Sequence, residues 1–153
     1  MRTSILIYED TPKYDLWLKL ILVGVLALTF ILGVIFIYQD IEAAVVMFGI
    51  TLFDALLFKT ILPRRYQIFE DRLRILMGWP IAINISFHNI EEAKPAAGRK
   101  ALAYGGLRLA TSTRNVVEII REKGLNLVIS PSNEMFLEQL NQARQMIINQ
   151  NDT

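Results

Sequence analysis

The sequence predicts an α+β membrane protein, in which a transmembrane helical hairpin precedes an antiparallel β module and a C-terminal α-helix. Two observations predict the hairpin: residues 20–38 form an uncharged run of 19 residues, and a second apolar stretch covers residues 43–62. A third predicts the β module, because short alternating segments separated by turn residues begin at Tyr66. The expected order is therefore two helices, about seven strands and one helix.

The first apolar run is long enough to cross a bilayer. At a rise of 1.5 Å per residue its 19 residues make a helix about 28 Å long, close to the hydrocarbon core of about 30 Å. A cleaved signal peptide is the alternative, but the run exceeds the usual signal core and the acidic Glu9, Asp10 and Asp15 precede it. We therefore expect a retained helix over residues 16–38.

The N-terminal segment, residues 1–15, contains a possible short strand. Residues 4–8 (SILIY) are short, apolar and partly β-branched. An isolated strand has no hydrogen-bond partner, so we expect it either to add to an edge of the sheet or to lie on the membrane surface.

The second helix is expected over residues 43–62. It follows a gap of only four residues, which suits a tight connection between antiparallel helices, and Pro63 ends it. Residues 16–62 are thus predicted to form one transmembrane hairpin. Within it, Thr29 and Gly33 form a small-xxx-small pair that we expect to serve packing between the two helices.

Basic residues predict the orientation of the hairpin. They flank the two outer helix ends, as Lys13, Lys19, Lys59, Arg64 and Arg65. The turn between the helices carries Asp40 and Glu42 and no Lys or Arg. By the positive-inside rule, both termini and the β module are cytoplasmic, and the chain is a two-span protein of the cell membrane.

Asp54 is an acid inside the second apolar stretch. Intramembrane carboxylates are costly, so one interpretation is a proton or ion site. The favoured interpretation is structural: an intramembrane polar contact in which Asp54 bonds to Lys19, to Thr51 or to water near the interface. No second acid or histidine within the two stretches supports a proton relay.

Residues 63–149 are predicted to form the cytoplasmic β module, followed by a tail at 150–153. Alternation of apolar and polar residues predicts seven segments of strand: 66–69, 72–77, 81–88, 89–94, 107–111, 116–121 and 125–130. Phe136, Leu140, Ala143 and Ile147 then recur at helical spacing, and this single apolar stripe requires a sheet to cover.

The order of these motifs resembles the pleckstrin-homology-like fold, and more narrowly the bacterial PH-domain families found fused to transmembrane hairpins. The resemblance rests on residues 66–75, Gly78-Trp79, Ile83-x-Ile85, Asn89-Ile90-Glu91, 116–120, 127–131 and 136–140. It implies a bent antiparallel sheet or barrel capped by the C-terminal helix. Because some bacterial PH-like domains assemble into rings, it also implies possible self-association.

No catalytic set is evident in the sequence. There is no cysteine and only one histidine, His88, which excludes thiol–imidazole and multi-histidine metal chemistry. Glu91 and Glu92 are neighbours on a predicted strand and face opposite sides. No glycine-rich phosphate loop is present. We expect no enzyme activity, no cofactor and no metal, and with a net charge of +1 no nucleic-acid partner.

The β module has a basic excess that predicts contact with anionic lipid or a partner. From Pro63 onward there are 12 Lys and Arg against 9 Asp and Glu, a net charge of +3. The candidate residues are Arg64, Arg65, Arg72, Arg74, Arg99 and Lys100. In some eukaryotic members of the resembled fold, basic residues of the first two strands hold phosphoinositide headgroups. Here Arg72-x-Arg74 lacks the fuller lysine-rich pattern, so diffuse lipid-facing charge is expected rather than a specific pocket.

The leading hypothesis for function is therefore a non-enzymatic, membrane-anchored PH-like interaction module. Its partners would be other proteins or further copies of itself at the cytoplasmic face of the membrane. An anionic-lipid sensor is one alternative, and an accessory or assembly subunit of a larger membrane complex is another.

Overall fold

The structure, a computed structural model, describes residues 4–151. Three α-helices span Leu16–Phe36 (α1), Ile41–Ile61 (α2) and Met135–Asn151 (α3). Eight strands span Leu6–Asp10 (β1), Arg65–Phe69 (β2), Arg72–Leu76 (β3), Ala82–Ser86 (β4), Ile90–Pro95 (β5), Leu107–Arg108 (β6), Val117–Arg121 (β7) and Leu127–Ile129 (β8). Residues 1–3 of the predicted N-terminal segment and 152–153 of the predicted tail lie outside the described residues; α3 extends into that tail.

The prediction of two long apolar helices is confirmed. Each has 21 residues and is long and apolar enough to cross a membrane, and only 6% of the most apolar window of each is buried. That fraction differs from a core helix of a soluble domain, which is mostly buried. α2 begins at Ile41, two residues earlier than expected, because the Asp40 carboxylate caps it by accepting the N–H groups of Glu42 (3.0 Å) and Ala43 (3.3 Å).

Small residues bring α1 and α2 together. Gly33 is buried, and a Cβ at this position would lie 3.0 Å from the Phe48 ring. One turn away, the Thr51 hydroxyl lies 2.9 Å from that of Thr29 and bridges the two helices. Both members of the small-xxx-small pair therefore face α2.

The strands form two four-stranded sheets, whereas the sequence predicted one bent sheet or barrel, and no closed barrel is present among the described residues. The first sheet has the order β1-β2-β3-β4 and the second β5-β7-β8-β6. Among residues 4–151 no strand ladder joins one sheet to the other, because a 3₁₀ turn at Phe87–Asn89 separates β4 from β5. β1 lies at an edge of the first sheet, antiparallel to β2.

The expectation of an entirely antiparallel module is wrong at β6. This strand has only two residues and pairs in parallel with β8. The chain does not reverse into a hairpin after β6, because the polar stretch that follows bonds elsewhere. The backbone N–H groups of Thr111 and Ser112 donate to Ser130 Oγ at 2.8 and 3.1 Å.

The two sheets and α3 share one hydrophobic core. Tyr66, Leu73 and Ile75 from the first sheet, and Ile119, Leu127 and Ile129 from the second, are buried. Phe136 and Leu140 of α3 are fully buried in the same cluster, and the Phe136 ring lies 5.8 Å from that of Tyr66. The apolar stripe of α3 thus covers the sheets, as its spacing predicted.

The turn between β3 and β4 packs against the end of α2. The Gly78 N–H donates to the Thr60 carbonyl at 2.9 Å, and a Cβ on Gly78 would overlap the backbone oxygen of Lys59. Only glycine permits this approach of two backbones.

Replacing Gly78 with alanine should separate this turn from α2. We expect Gly78→Ala to lower the free energy of unfolding by about 2–3 kcal/mol, since the added methyl has no space. Gly105→Ala is the matched control, because it has the same effect on the unfolded chain and nothing lies within 4 Å of its Cβ. Unfolding of both full-length variants in one detergent measures the difference; equal stabilities would contradict the packing described here.

Candidate membrane-facing arginine site

The segment that leads into α1 is hydrogen-bonded to the β module. The Lys13 N–H donates to the Ser130 carbonyl at 2.9 Å, and the Asp15 N–H donates to the Thr111 carbonyl at 3.1 Å. In return the Thr111 hydroxyl donates to the Lys13 carbonyl at 2.6 Å. These bonds leave no free linker between the module and the first helix.

The Asp15 carboxylate is the centre of this junction. It accepts hydrogen bonds from the Ser112 hydroxyl (2.7 Å), the Thr113 N–H (2.8 Å) and the Thr113 hydroxyl (3.1 Å). The Trp17 indole N–H adds a fourth at 3.3 Å. The Thr113 N–H bond, helped by the hydroxyl and indole donors, lowers the pKa of Asp15 from 3.8 to about 2.

The end of α2 is held to the same module. The Arg64 N–H donates to the Leu76 carbonyl at 2.7 Å, beside the contact between Gly78 and Thr60. The Tyr14 hydroxyl donates to the Pro63 carbonyl and so connects the two outer ends of the hairpin. The β module consequently has one orientation relative to the helices.

Acidification should release the Asp15 contact. A carboxylate whose pKa is lowered on folding stabilises the fold above its unfolded pKa of about 4, and loses that contribution as the pH falls toward 2. We expect the chemical shift of the Thr113 amide to change with pH with a midpoint near 2. In Asp15→Asn this change should be absent. That variant should be about 1–2 kcal/mol less stable at pH 7. A midpoint near 4 would show that the carboxylate is not held as described.

The structure brings three of the six predicted basic residues together beside the end of α2. Arg64, Arg65 and Arg74 line an open pocket of about 350 Å³. The other lining residues come from β3, β4 and the turn between them: Leu76, Met77, Trp79, Pro80, Ile81 and Ala82. Because Gly78 contacts the last turn of α2, this pocket lies at the level where the helix ends.

The three guanidinium groups differ in how far they are already neutralised. Arg65 Nη1 lies 2.9 Å from a carboxylate oxygen of Glu9, whose other oxygen accepts from Gln67 Nε2 at 2.6 Å. Arg64 is exposed and has no ion pair among residues 4–151. Arg74 is half-buried, and its Nε atom has no hydrogen-bond partner among the described residues. Arg64 and Arg74 therefore supply most of the positive charge available to a ligand.

Trp79 is the most exposed large apolar side chain of the pocket. It is 90% exposed and directly follows the glycine that touches α2, and Ile81, two residues further along, is also exposed. Exposing an indole to water is unfavourable, whereas the polar–apolar boundary of a bilayer is the environment that Trp prefers. In the sequence, Gly78-Trp79 contributed only to the resemblance to the PH-like fold. A tryptophan placed soon after the two arginines that follow the second apolar stretch is the signal that could have indicated this site.

Arg72 lies further along β3, outside the pocket. Its guanidinium carbon is 5.4 Å from the centre of the Phe69 ring, and Nη1 is 3.8 Å from the Asp71 carboxylate. Both contacts are on the surface, so each contributes little to stability.

Arg99 and Lys100 lie in a 3₁₀ turn between β5 and β6 and do not join the cluster. Lys100 Nζ is 2.6 Å from the carboxylate of buried Glu118, which also accepts from the Tyr104 hydroxyl at 2.9 Å. The Lys100 ammonium lowers the pKa of Glu118, and burial together with this bond raises the pKa of Tyr104 to about 12. Lys100 thus neutralises a buried carboxylate, while Arg99 is exposed.

The predicted contact between Asp54 and Lys19 does not form. Among residues 4–151 no hydrogen bond or ion pair of Asp54 is present, and the Thr51 hydroxyl instead lies 2.9 Å from both the Thr29 hydroxyl and the Met47 carbonyl oxygen. The bridge between Thr29 and Thr51 places Lys19 about 10 Å from Asp54 along the helix axes, which is too far for direct pairing.

Among the described residues, no three or more His, Cys, Asp or Glu side chains come together in a group that could hold a metal ion. His88 is exposed in the 3₁₀ turn after β4. Comparison of the chain with protein-family models, with curated proteins and with solved structures finds no match.

Proposed function

We propose that this chain is a non-enzymatic, membrane-anchored interaction module that binds anionic lipid headgroups beside its own transmembrane hairpin. In this proposal α1 and α2 span the cell membrane, both termini are cytoplasmic, and the β module is a PH-like domain. The observation that carries the proposal is the pocket of Arg64, Arg65 and Arg74 next to exposed Trp79, at the end of α2.

The charges and the indole suit a phospholipid of the adjacent leaflet. A phosphate beside Arg64 and Arg74 would accept hydrogen bonds from guanidinium groups, and each basic residue near an anionic surface contributes about 1 kcal/mol of attraction. Trp79 would occupy the headgroup boundary, which removes the indole from water. The hydrogen-bonded junction keeps the pocket at this depth, so the ligand is captured without ordering a linker.

Quenching of Trp79 by brominated lipids tests the proposal on the full chain. The protein has two tryptophans, so a Trp17→Phe background leaves Trp79 as the single tryptophan, which is excited selectively over the five tyrosines at the red edge of the absorption band. In reconstituted vesicles we expect anionic brominated lipid to quench Trp79 more strongly than zwitterionic brominated lipid at the same mole fraction. Arg64→Gln with Arg74→Gln should remove about 2 kcal/mol of this preference, or roughly 30-fold in relative affinity.

Arg99→Gln with Arg114→Gln is the charge-matched control, since both residues are exposed and lie outside the pocket. It should retain the preference for anionic lipid. Equal losses in the two double variants would indicate diffuse charge instead of a site. Absence of quenching by either lipid would refute the position of Trp79 at the membrane.

A protein-binding role is the second candidate, and the edge strand β1 favours it. β1 is the outer strand of the first sheet, and Leu6 and Ile7 are exposed, as is the preceding Ile5. An exposed apolar edge can accept a strand from a partner, which would suit an accessory or assembly subunit of a larger complex.

Photocross-linking from β1 in native membranes tests this candidate. An amino acid with a photoreactive side chain at Leu6 should form an adduct with one defined protein, whereas the same probe at exposed Glu91 of β5 should not. Adducts from both positions, or from neither, would exclude a protein partner at this edge.

A further inference from the structure

A row of residues on α2 lies beside the seam with α1 and has the spacing of a second helix–helix interface. Ala44, Phe48 and Thr51 face α1 through burial, through the contact with Gly33 and through the bridge to Thr29. The second row is offset around the helix and consists of Met47, Ile50, Asp54, Leu57 and Ile61, at intervals of 3, 4, 3 and 4 residues. This alternation is that of the a and d positions of a left-handed pair of helices.

Asp54 is the polar member of this row. It lies seven residues before the end of α2, which places its Cα about 10 Å inside that end. It is half-buried, and none of the described residues bonds to its carboxyl group. Inside hydrocarbon such a group is costly, and acids at this depth generally face a protein interior or a partner.

We propose that this row binds the same row of a second copy of the chain, so that two α2 helices pack in parallel around a twofold axis normal to the membrane. The inference rests on the proposed insertion of the hairpin. Two copies inserted in the same orientation necessarily place Asp54 and the partner's Asp54 at the same depth. One protonated carboxyl group can then donate a hydrogen bond to the other. A second copy matches the row on α2 in depth, polarity and spacing by symmetry, and the chain supplies no such match for any other occupant.

The single polar position also fixes the register of the two α2 helices. The apolar residues above and below Asp54 would still pack if one helix slid along the other, whereas Asp54 opposite an apolar residue would lose its hydrogen bond. Ile50 and Leu57 flank Asp54 on this face and are each 38% exposed. Leu52 and Leu56 point to the opposite side of α2, where they are 63% and 54% exposed.

Disulfide cross-linking tests the interface cleanly because the chain has no cysteine. In full-length protein reconstituted at high lipid-to-protein ratio, Ile50→Cys and Leu57→Cys should each form a covalent dimer on oxidation. The matched controls Leu52→Cys and Leu56→Cys should form at least about tenfold less, since those positions are turned about 160° from Asp54 on the helix. Equal cross-linking at the two faces, or none at Ile50 and Leu57, would overturn the proposal.

Substitution of Asp54 in the Leu57→Cys background tests its part in the interface. Asp54→Asn retains a donor and an acceptor and should preserve most of the cross-linking, whereas Asp54→Leu should reduce it about threefold to tenfold. Undiminished cross-linking in Asp54→Leu would refute the pairing of carboxyl groups. Circular dichroism of each variant establishes that the helices are intact before the comparison is made.

Labelling by a membrane-impermeant maleimide separates failure of this inference from failure of the proposed function. If Ile50→Cys is labelled rapidly in intact vesicles and in vesicles opened by detergent alike, the hairpin does not span the bilayer and both proposals fail. If it is protected in intact vesicles yet no dimer forms, the anchored module stands and only the α2 interface is wrong.

Discussion

The hydrogen bonds of the Asp15 carboxylate are the interaction on which the rest of the arrangement depends. Four donors converge on it, from Ser112, from Thr113 and from Trp17 at the start of α1. Without this acceptor, the polar stretch after β6 would carry unpaired donors at the base of the hairpin. The same stretch does not continue the ladder of β6, because the backbone N–H groups of Thr111 and Ser112 donate to the Ser130 hydroxyl oxygen and not to a strand carbonyl.

A rigid junction changes what the arginine pocket can do. If the proposed lipid site were carried on a flexible linker, Arg64 and Arg74 would sample many distances from the bilayer, and their attraction to phosphate would be offset by the entropy of ordering the linker. Here the backbone bonds between Arg64 and Leu76, and between Gly78 and Thr60, set the position and the direction of the pocket relative to α2. Trp79 is adjacent to that contact, so its position follows from the backbone and not from its own packing.

Local patterns in the sequence predicted most of the helices and strands, but not the short parallel β6, the 3₁₀ turn at Phe87–Asn89 or the long-range contacts. Alternation placed Leu73 and Ile75 on one face of β3, and both are fully buried. The apolar spacing of α3 likewise predicted Phe136 and Leu140 as core residues. By contrast, Ser112 and Asp15 are 97 positions apart, and no local period relates them. Arg99 and Lys100 are a second example. As neighbours in the sequence they were predicted to form one basic patch, but Lys100 pairs with the buried Glu118 on β7, which only the tertiary structure brings near.

The two proposals reinforce each other through geometry. If two copies pair along α2, their modules are related by an axis normal to the membrane, and the rigid junctions bring both arginine pockets to the same leaflet at the same depth. Each pocket alone contributes a modest attraction for anionic lipid, but two pockets on one assembly act together because the second is already at the surface when the first binds. Pairing would then make lipid binding depend more steeply on the fraction of anionic lipid, without any change in the pocket itself. A variant that pairs normally but lacks Arg64 and Arg74 would lose lipid preference and keep the dimer, since the residues that form the pocket and those that form the α2 row are distinct.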